Sequence, residues 1–493
     1  MDRPLPVVPV WAHKSLKVSG FYREVILSEQ SFLRAGASGS FPGNLAAAGF
    51  LVLALVLGGG GSPAPLPELI LELLAVLFAL IWLFAPIRGL DWQRIPWSAW
   101  MIAALVTAVP LLQLIPLPPI VWQNLPGRVV EVQALALIGA EDSWRTWSLA
   151  PSRTLSSFLS LGPPLLMLIV TSALDLSGRV MLLRSIMIVV LAMLFVGTLQ
   201  LSAGAASPIH FYGATEQWLV GFQANHNSAA DVLLIALMIT PVVLRDLVDR
   251  RILSANPGLV LGIAGSVAAV LSLAVVLTAS RMGMFLLPIS LLTNIWILRP
   301  WIRMSVRSST YGIIGLIILG SVGLLLWREN PTIAGILVRF DFSEELRPQL
   351  WRDGLYVAQK YFPFGVGMGN FVPALIADER LEVVWPSLPN RAHNDFIELA
   401  SEAGMFGLLA LSAISLTLSR ALWQKLRGRA GQSQTLAIFA GVGLTILSLH
   451  SLVDYPIRSM ALACLAAVCA GLLLTPQQDD GPAHDAADPR NMM

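Results

Sequence analysis

Twelve runs of apolar residues, each close to the length of a helix that crosses a bilayer, dominate this sequence of 493 residues. The runs lie at about 44–60, 66–86, 97–117, 154–173, 180–203, 226–244, 258–279, 282–298, 309–327, 394–419, 434–452 and 457–475. A crossing takes about 20 residues, and only helices and closed barrels satisfy every backbone polar group in lipid. The sequence therefore predicts an all-α polytopic membrane protein with about 12 transmembrane helices.

The composition agrees with this fold class. Charged residues make up 13% of the chain, against roughly a quarter in a soluble domain, which excludes a soluble enzyme. The formal net charge is +2, so we expect membrane lipids as surroundings and no nucleic-acid partner. Cys464 and Cys469 share one apolar run, and we expect them to pack as inert side chains. No metal site or cofactor is predicted.

Lysine and arginine are spread unevenly between alternate connections, and this bias sets the orientation. Twenty of the 32 lie at the termini and in one set of connections, whereas 204–225 on the other side has none. Both termini are therefore predicted to be cytoplasmic, with no removable signal peptide. The predicted division is a cytoplasmic segment at 1–43, nine helices at 44–327, a large outer loop domain at 328–393, three helices at 394–475 and a cytoplasmic tail at 476–493.

Three tryptophans lie in a second outer segment at 118–153. They are Trp122, Trp144 and Trp147. Tryptophan is enriched where a membrane meets water, so we expect these side chains to anchor the segment at the membrane surface.

Polar and charged side chains collect at the outer ends of the predicted helices, where charges near a bilayer are costly. They come from helices far apart in the chain and are Asn225, His226, Arg281, Arg347, Arg352, Arg391, His393, Asn394, His450, Asp454 and Arg458. A single arginine there commonly extends to a lipid headgroup, and a single histidine at a helix start is commonly a cap or a surface residue. Because so many reach the same depth on one face, we predict a shared outer site.

The residue types of this outer site indicate its chemistry. Arginine binds phosphate through two parallel hydrogen bonds, so two or three arginines suit a diphosphate. A histidine beside them can take a proton from an attacking hydroxyl group near neutral pH.

Two carboxylates follow His393 on one face of the tenth predicted helix, Glu398 and Glu402. Buried carboxylates need water, a partner or protonation. They can pair with an arginine, or they can orient His393 or Arg281; the pairing role is favoured. Asp231 is expected to be paired in the core.

The long outer segment contains three further patterns. The G-x-G-x-G sequence at 365–369 follows no buried strand, so a turn is favoured over a nucleotide site. The acidic cluster Asp341, Glu344 and Glu345 favours a solvated face over a cation site. Apolar residues at helical spacing over 346–358 predict a folded helix rather than a linker.

Six motifs lie at the predicted helix ends and in the outer segments: QLIPLPPIVWQNLPGR at 113–128, GFQANHNSAAD at 221–231, TASRMG at 278–283, RPQLWRDGLYVAQKYFPFGVGMGNF at 347–371, RAHNDFIELASEAGMFG at 391–407 and HSLVDYPIR at 450–458. Together they resemble the O-antigen ligase and O-antigen polymerase superfamily of bacterial envelope glycosyltransferases. The resemblance rests on their order, spacing and membrane side, and it covers most of the membrane region.

The resemblance implies a GT-C-type architecture with a large periplasmic loop between helices 9 and 10. It also implies a metal-independent, inverting transferase of the bacterial inner membrane that uses an undecaprenyl-diphosphate-linked oligosaccharide on the periplasmic face. By motif match the essential residues fall on Arg281, Arg347 and His393, with Arg352 as a neighbour. His393 would act as general base or orient the acceptor hydroxyl. A chain-length regulator is a further candidate partner.

The remaining outer residues are predicted to bind substrate. This set comprises Arg352, Arg391, Asn394, His226, Asn225, Glu398, Glu402, His450, Asp454 and Arg458. One departure concerns the sixth predicted helix, which reads NHNSAA where many relatives carry N-R-N-H, so the family assigns no role to His226.

Three functions remain open from the sequence. Polymerisation of O-antigen or exopolysaccharide repeat units is favoured over ligation of glycan to lipid A core, because the long chain and the HSLVDYPIR ending resemble polysaccharide polymerases. A transporter or flippase is the alternative of another class. Transporters place their site near the bilayer midplane, whereas the polar residues here lie at the outer edge.

Overall fold

The computed structural model describes residues 41–60, 65–85, 87–204, 208–212, 217–299, 301–302, 335–336, 338–340, 346–379, 389–428 and 431–476. Four predictions lie outside these residues: most of the N-terminal segment, the ninth apolar run at 309–327, the acidic cluster at 341–345 and nearly all of the tail. The division into cytoplasmic and periplasmic parts stays a prediction.

The described chain is helical almost throughout. Its helices are α1 (Phe41–Leu57), α2 (Pro65–Phe84), α3 (Trp97–Gln113), α4 (Pro119–Trp122), α5 (Val129–Ala136), α6 (Pro151–Leu159), α7 (Gly162–Ala173), α8 (Leu176–Ala203), α9 (His226–Asp249), α10 (Pro257–Leu277), α11 (Arg281–Leu298), α12 (Arg347–Lys360), α13 (Phe371–Asp378), α14 (Asp395–Arg427), α15 (Gln432–His450) and α16 (Met460–Leu474). Within the described residues, the only sheet is a pair of two-residue antiparallel strands, β1 (Pro116–Leu117) and β2 (Arg145–Thr146).

Eight of the described helical segments are long and apolar enough to cross a membrane. They are Phe41–Gly60, Leu66–Phe84, Pro151–Ala173, Leu176–Ala203, Pro257–Leu277, Arg281–Leu298, Asp395–Arg427 and Gln432–His450. Helices α3 and α16 are shorter apolar helices. The predicted all-α polytopic membrane class is therefore confirmed, and the count of twelve stays a prediction.

Helix α9 lies at the centre of the bundle. Every residue from Ser228 to Val242 is buried, and α8, α10, α11 and α15 pack around it. Gly283 of α11 allows close approach, because a Cβ atom there would meet the Ala230 side chain at 2.6 Å. This packing fixes the start of α9, where the predicted site residues Asn225 and His226 lie.

Asparagine and serine caps begin three of the helices that carry the predicted site, α9, α11 and α14. The side-chain oxygen of Asn225 accepts from the Asn227 backbone N–H, and that of Ser280 accepts from Gly283. Asn394 accepts from the backbone N–H groups of Phe396 and Ile397. Such caps satisfy backbone donors that a helix start leaves unpaired, so part of the outer polarity is structural.

The described part of the long outer segment is folded, as predicted. Helix α12 and the following loop form a second apolar core with Leu350, Val357, Tyr361 and Phe371. The glycines at 365, 367 and 369 have φ angles of 77°, 98° and 80°, which confirms the turn. This turn docks on α14, because the Gly367 N–H donates to the Glu402 carbonyl oxygen over 2.9 Å.

Helix α14 contains one break that the sequence analysis did not predict. Gly404 has φ 55° and ψ −144°. The following residue, Met405, donates its backbone N–H to the Pro363 carbonyl oxygen over 2.9 Å. The outer loop is thus hydrogen-bonded to α14 at the break. This contact fixes the position of the first part of α14, residues 395–403, which carries residues of the site.

The prediction of a surface tryptophan belt is wrong for two of its three members. The Trp122 side chain is fully buried and donates from Nε1 to the Ser143 carbonyl oxygen over 2.9 Å. Trp147 is also buried, with its ring edge against Phe364. Only Trp144 is exposed. Trp147 also packs against Phe406 of α14, with the ring centroids 5.2 Å apart. A pattern of residue types cannot distinguish such packing within the protein from membrane anchoring.

Candidate active site

The site lies where the starts of α9, α12 and α14 meet the turn 451–459 between α15 and α16. Asn394 Nδ2 donates to the Leu452 carbonyl oxygen over 2.8 Å, and the Asp395 N–H donates to the Ser451 carbonyl oxygen over 3.0 Å. These two bonds tie the start of α14 to the turn. The motif at 450–458 and the motif at 391–407 are therefore parts of one place in the molecule.

His393 and Asp454 form the central pair of this site. Nδ1 of the imidazole lies 3.0 Å from Oδ1 of the carboxylate. The His393 side chain is 27% exposed, whereas Asp454 is 3% exposed. The imidazole is therefore partly accessible to solvent, and its buried edge contacts the Asp454 carboxylate.

Asp454 is held as an ionised carboxylate. Its Oδ2 accepts a hydrogen bond from Asn227 of α9. Burial alone would raise the pKa of Asp454, but the hydrogen bond and charge of His393, with the charges of His450 and Arg347, lower it below its ordinary value. Arg347, the first residue of α12, thus lies close enough to act electrostatically on the central pair.

The backbone of His393 is in the left-handed region, with φ 48°. A non-glycine residue there is costly, and such residues concentrate at functional sites where the surroundings hold them. Trp351 Nε1 donates to the His393 carbonyl oxygen over 3.1 Å. The Tyr455 ring and the imidazole form a T-shaped contact with their centroids 4.9 Å apart. These contacts fix both the backbone and the ring of His393.

Two arginines and three carboxylates form a buried network beside the central pair. Arg391 Nη1 lies 2.8 Å from Glu398 Oε1. Arg458 Nη2 lies 2.9 Å from Glu402 Oε2 and 3.5 Å from Glu398 Oε1, and its Nε lies 3.6 Å from Asp395 Oδ1. Burial would lower the pKa of Arg458, but the three carboxylates raise it. Glu398 and Glu402 are therefore paired with arginines, and the carboxylate beside His393 is Asp454.

A second histidine pair lies deeper in the protein. His450 Nδ1 is 2.7 Å from Asp231 Oδ1, and these side chains are 1% and 0% exposed. Asp231 is thus paired in the core, as expected. His450, predicted to bind substrate, is enclosed behind the turn, so it can affect the outer surface only through its neighbours.

The remaining predicted cations lie around the starts of α9, α11 and α12. Arg281 is the first residue of α11 and is partly buried. His226 is the first residue of α9, and its Nε2 lies 3.0 Å from Arg339 Nη2. Arg352 is exposed on α12. Whether these residues bind substrate stays a prediction.

Several residues of the site were not predicted from the sequence. Asn227 holds Asp454, Tyr455 and Trp351 hold His393, and Arg339 lies against His226 and over the Trp218 ring at 5.8 Å. Asn227, Trp351 and Tyr455 lie within the quoted motifs, next to residues that were chosen. Arg339 carried no signal beyond its place in the outer segment.

One family model matches the chain. It is described as O-antigen ligase and covers residues 266–412, a stretch that holds Arg281, Arg347 and His393 and ends before the turn with Asp454. No curated protein matches the sequence. The family indicates activity of the O-antigen ligase or polymerase type in a membrane-embedded protein. This match over residues 266–412 confirms the resemblance of the motifs to the O-antigen ligase and O-antigen polymerase superfamily.

Proposed function

We propose that this protein is an inverting GT-C-type glycosyltransferase with about 12 transmembrane helices. It transfers a glycan from undecaprenyl diphosphate to a sugar hydroxyl on the periplasmic face of the inner membrane. The observation that supports this most is the His393–Asp454 pair, in which a partly exposed imidazole lies 3.0 Å from a buried carboxylate. The family match supplies the type of reaction.

The contact with Asp454 supports a separate role for each nitrogen of His393. Asp454 accepts a hydrogen bond from Nδ1–H, so in the neutral ring Nε2 is the acceptor. Nε2 takes the proton of the acceptor hydroxyl while that oxygen bonds to the anomeric carbon. The bond from that carbon to the diphosphate oxygen breaks with its electron pair. Attack opposite the leaving group inverts the anomeric centre.

Arginines stabilise the charge that develops on the leaving diphosphate. Fixed cations at the position of developing charge supply a large part of enzymatic rate enhancement. Arg347 acts from the start of α12, and Arg281 is proposed to act from the start of α11. No metal is required by this arrangement.

Transfer in detergent tests the function. Purified full-length protein is given undecaprenyl-diphosphate-linked oligosaccharide extracted from cells that lack the protein. We expect longer glycan and free undecaprenyl diphosphate as products, and a loss of about 10²- to 10⁴-fold in His393→Ala. His210→Gln, a histidine whose Nε2 lies 3.3 Å from the Gly204 carbonyl oxygen away from the pair, is the matched control. Full activity of folded His393→Ala would refute the proposed role of His393.

The same assay separates the enzyme from a transporter or flippase. Detergent removes the two compartments that transport needs, so product formation there excludes pure transport. A protein that moves lipid-linked glycan across vesicles but forms no new glycosidic bond would overturn the proposed reaction.

The acceptor is proposed to be a second lipid-linked repeat unit, which makes the protein a polymerase. Ligation to lipid A core is the second candidate, because the matching family is described as O-antigen ligase. A deletion strain separates them. Single-repeat glycan retained on lipid A indicates a polymerase, whereas loss of all glycan on lipid A with accumulation of lipid-linked polymer indicates a ligase. For a polymerase, a chain-length regulator is the proposed partner.

A further inference from the structure

A second histidine–aspartate pair lies directly behind the first. His450 and Asp231 are 2.7 Å apart through Nδ1 and Oδ1 and are closed off from the outside. Neither side chain can touch a substrate. Oδ2 of Asp231 accepts no hydrogen bond from the described residues, so among them the imidazole of His450 is what compensates this carboxylate.

Both members of the second pair are connected to Asp454 through a neighbouring residue or a hydrogen bond. His450 lies one helical turn before Asp454, and its carbonyl oxygen accepts the Asp454 N–H over 3.0 Å. Asp231 lies one turn after Asn227 on α9, and Asn227 donates to Asp454. A narrow polar pocket joins Asp231, His450 and Asp454. Its other lining residues are Asn225, Asn227, Ser228, Tyr455 and Pro456.

The charges in this pocket depend on one another. Two carboxylates, Asp231 and Asp454, face the pocket from α9 and from the turn. Two like charges in a buried place disfavour each other unless a cation lies between them. The charge of His450 contributes to the lowered pKa of Asp454, which agrees with such an arrangement.

We propose that His450 and Asp231 form a positioning pair that sets, through Asp454, the proton affinity of the His393 imidazole. The pair thus tunes the pH at which transfer begins, while contacting neither donor nor acceptor. This inference rests on the proposed transferase function. The charged and titratable groups around the pair are Asp454 and Tyr455 in the turn, Arg347 on α12 and His393 before α14.

In the proposed arrangement His450 is the cation and Asp231 the anion of the pair, so their removal should act in opposite directions. In His450→Gln the Asp231 carboxylate is uncompensated and favours protonated His393. The acid limb of the pH profile for transfer should then move up by about one pH unit, which corresponds to a tenfold change in proton affinity. Asp231→Asn should move the acid limb down. The double variant should return it to within about 0.3 pH unit of the wild type.

The measurement is the initial rate of glycan transfer from the lipid-linked donor across pH 5–9, with full-length protein in detergent. His210→Gln should leave the limb in place. The inference is wrong if the two single variants and the double variant lose turnover while the acid limb stays at the wild-type pH. It is also wrong if both single variants shift the acid limb in the same direction. In either case the pair has only a packing role. If His450→Gln fails to fold, Asp231→Asn alone still decides, because its downward shift is required.

This outcome is separable from that of the proposed function. Wild-type transfer and its loss in His393→Ala test whether the protein is the transferase. The direction in which the acid limb moves tests only the second pair, and it can fail while transfer itself stands.

Discussion

His393 and Asp454 are 61 residues apart in the chain, yet the imidazole Nδ1 and the carboxylate Oδ1 are 3.0 Å apart. The contact exists because Asn394 caps α14 and at the same time donates to the Leu452 carbonyl oxygen. The same residue therefore ends the outer loop, begins a membrane helix and fixes the turn that carries Asp454. The central pair is built into the junction of three elements.

Asp454→Asn should reduce turnover by about two to three orders of magnitude with a small change in KM for the donor. The amide cannot stabilise a charged imidazole and can hold the ring in the wrong tautomer. Steady-state kinetics in detergent measure this. Asp378→Asn, which breaks the Lys360–Asp378 ion pair of the outer segment, is the control and should keep turnover within about threefold.

Arg347→Ala should raise KM for the lipid-linked donor and lower turnover, because a cation beside the leaving diphosphate is lost. We expect a combined loss of about 10²- to 10³-fold in kcat/KM, with Arg347→Lys partly active. Arg145→Ala removes an exposed arginine from the other outer segment. If this variant lost as much activity as Arg347→Ala, the effect would be general surface charge rather than a diphosphate contact.

Arg458→Met should destabilise the fold more than it changes the chemistry. The arginine lies against Asp395, Glu398 and Glu402. Removing one partner of a buried ion network costs about 3–5 kcal/mol, because the remaining charges are left uncompensated. Thermal unfolding in detergent measures this loss. The double variant Arg458→Met with Glu402→Gln should recover part of the lost stability. An equal or greater loss of stability in the double variant would contradict the proposed pairing of Arg458 with Glu402.

Gly404→Ala should be strongly destabilising. Gly404 has φ 55°, and a Cβ atom there would collide with the Pro363 carbonyl oxygen. The left-handed backbone and the collision together cost about 1–3 kcal/mol or more. Gly262→Ala on α10, where a Cβ atom would meet nothing within 4 Å, is the control and should be neutral or stabilising. Equal stability of both variants would show that the break in α14 is not held by the loop.

Asp454 should also make stability depend on pH in acid. Its pKa is lowered in the folded protein, so its contribution is complete above the unfolded pKa of about 3.9 and is lost as the pH falls through the folded value. The gap in unfolding temperature between the wild type and Asp454→Asn should narrow as the pH falls from about 5 to below about 4. A gap that widens in acid would contradict the assigned direction.

The fold was largely predictable because the signals are local. Apolar length is a property of contiguous residues, and the described helices of membrane-spanning length follow the predicted runs. The break at Gly404 was missed, because a glycine inside an apolar helix gives no sign that a distant loop will dock there. The buried tryptophans were misread for a similar reason, since their partners come from other segments.

The sequence alone determined the all-α membrane class and predicted a polar site at the helix ends, because both follow from the cost of placing charge in lipid. Tertiary structure decided which partner each charge receives. Glu398 and Glu402 follow His393 within the same motif, but the winding of α14 directs them to Arg391 and Arg458. The carboxylate that reaches the imidazole comes from a turn between two other helices, and only packing brings it there.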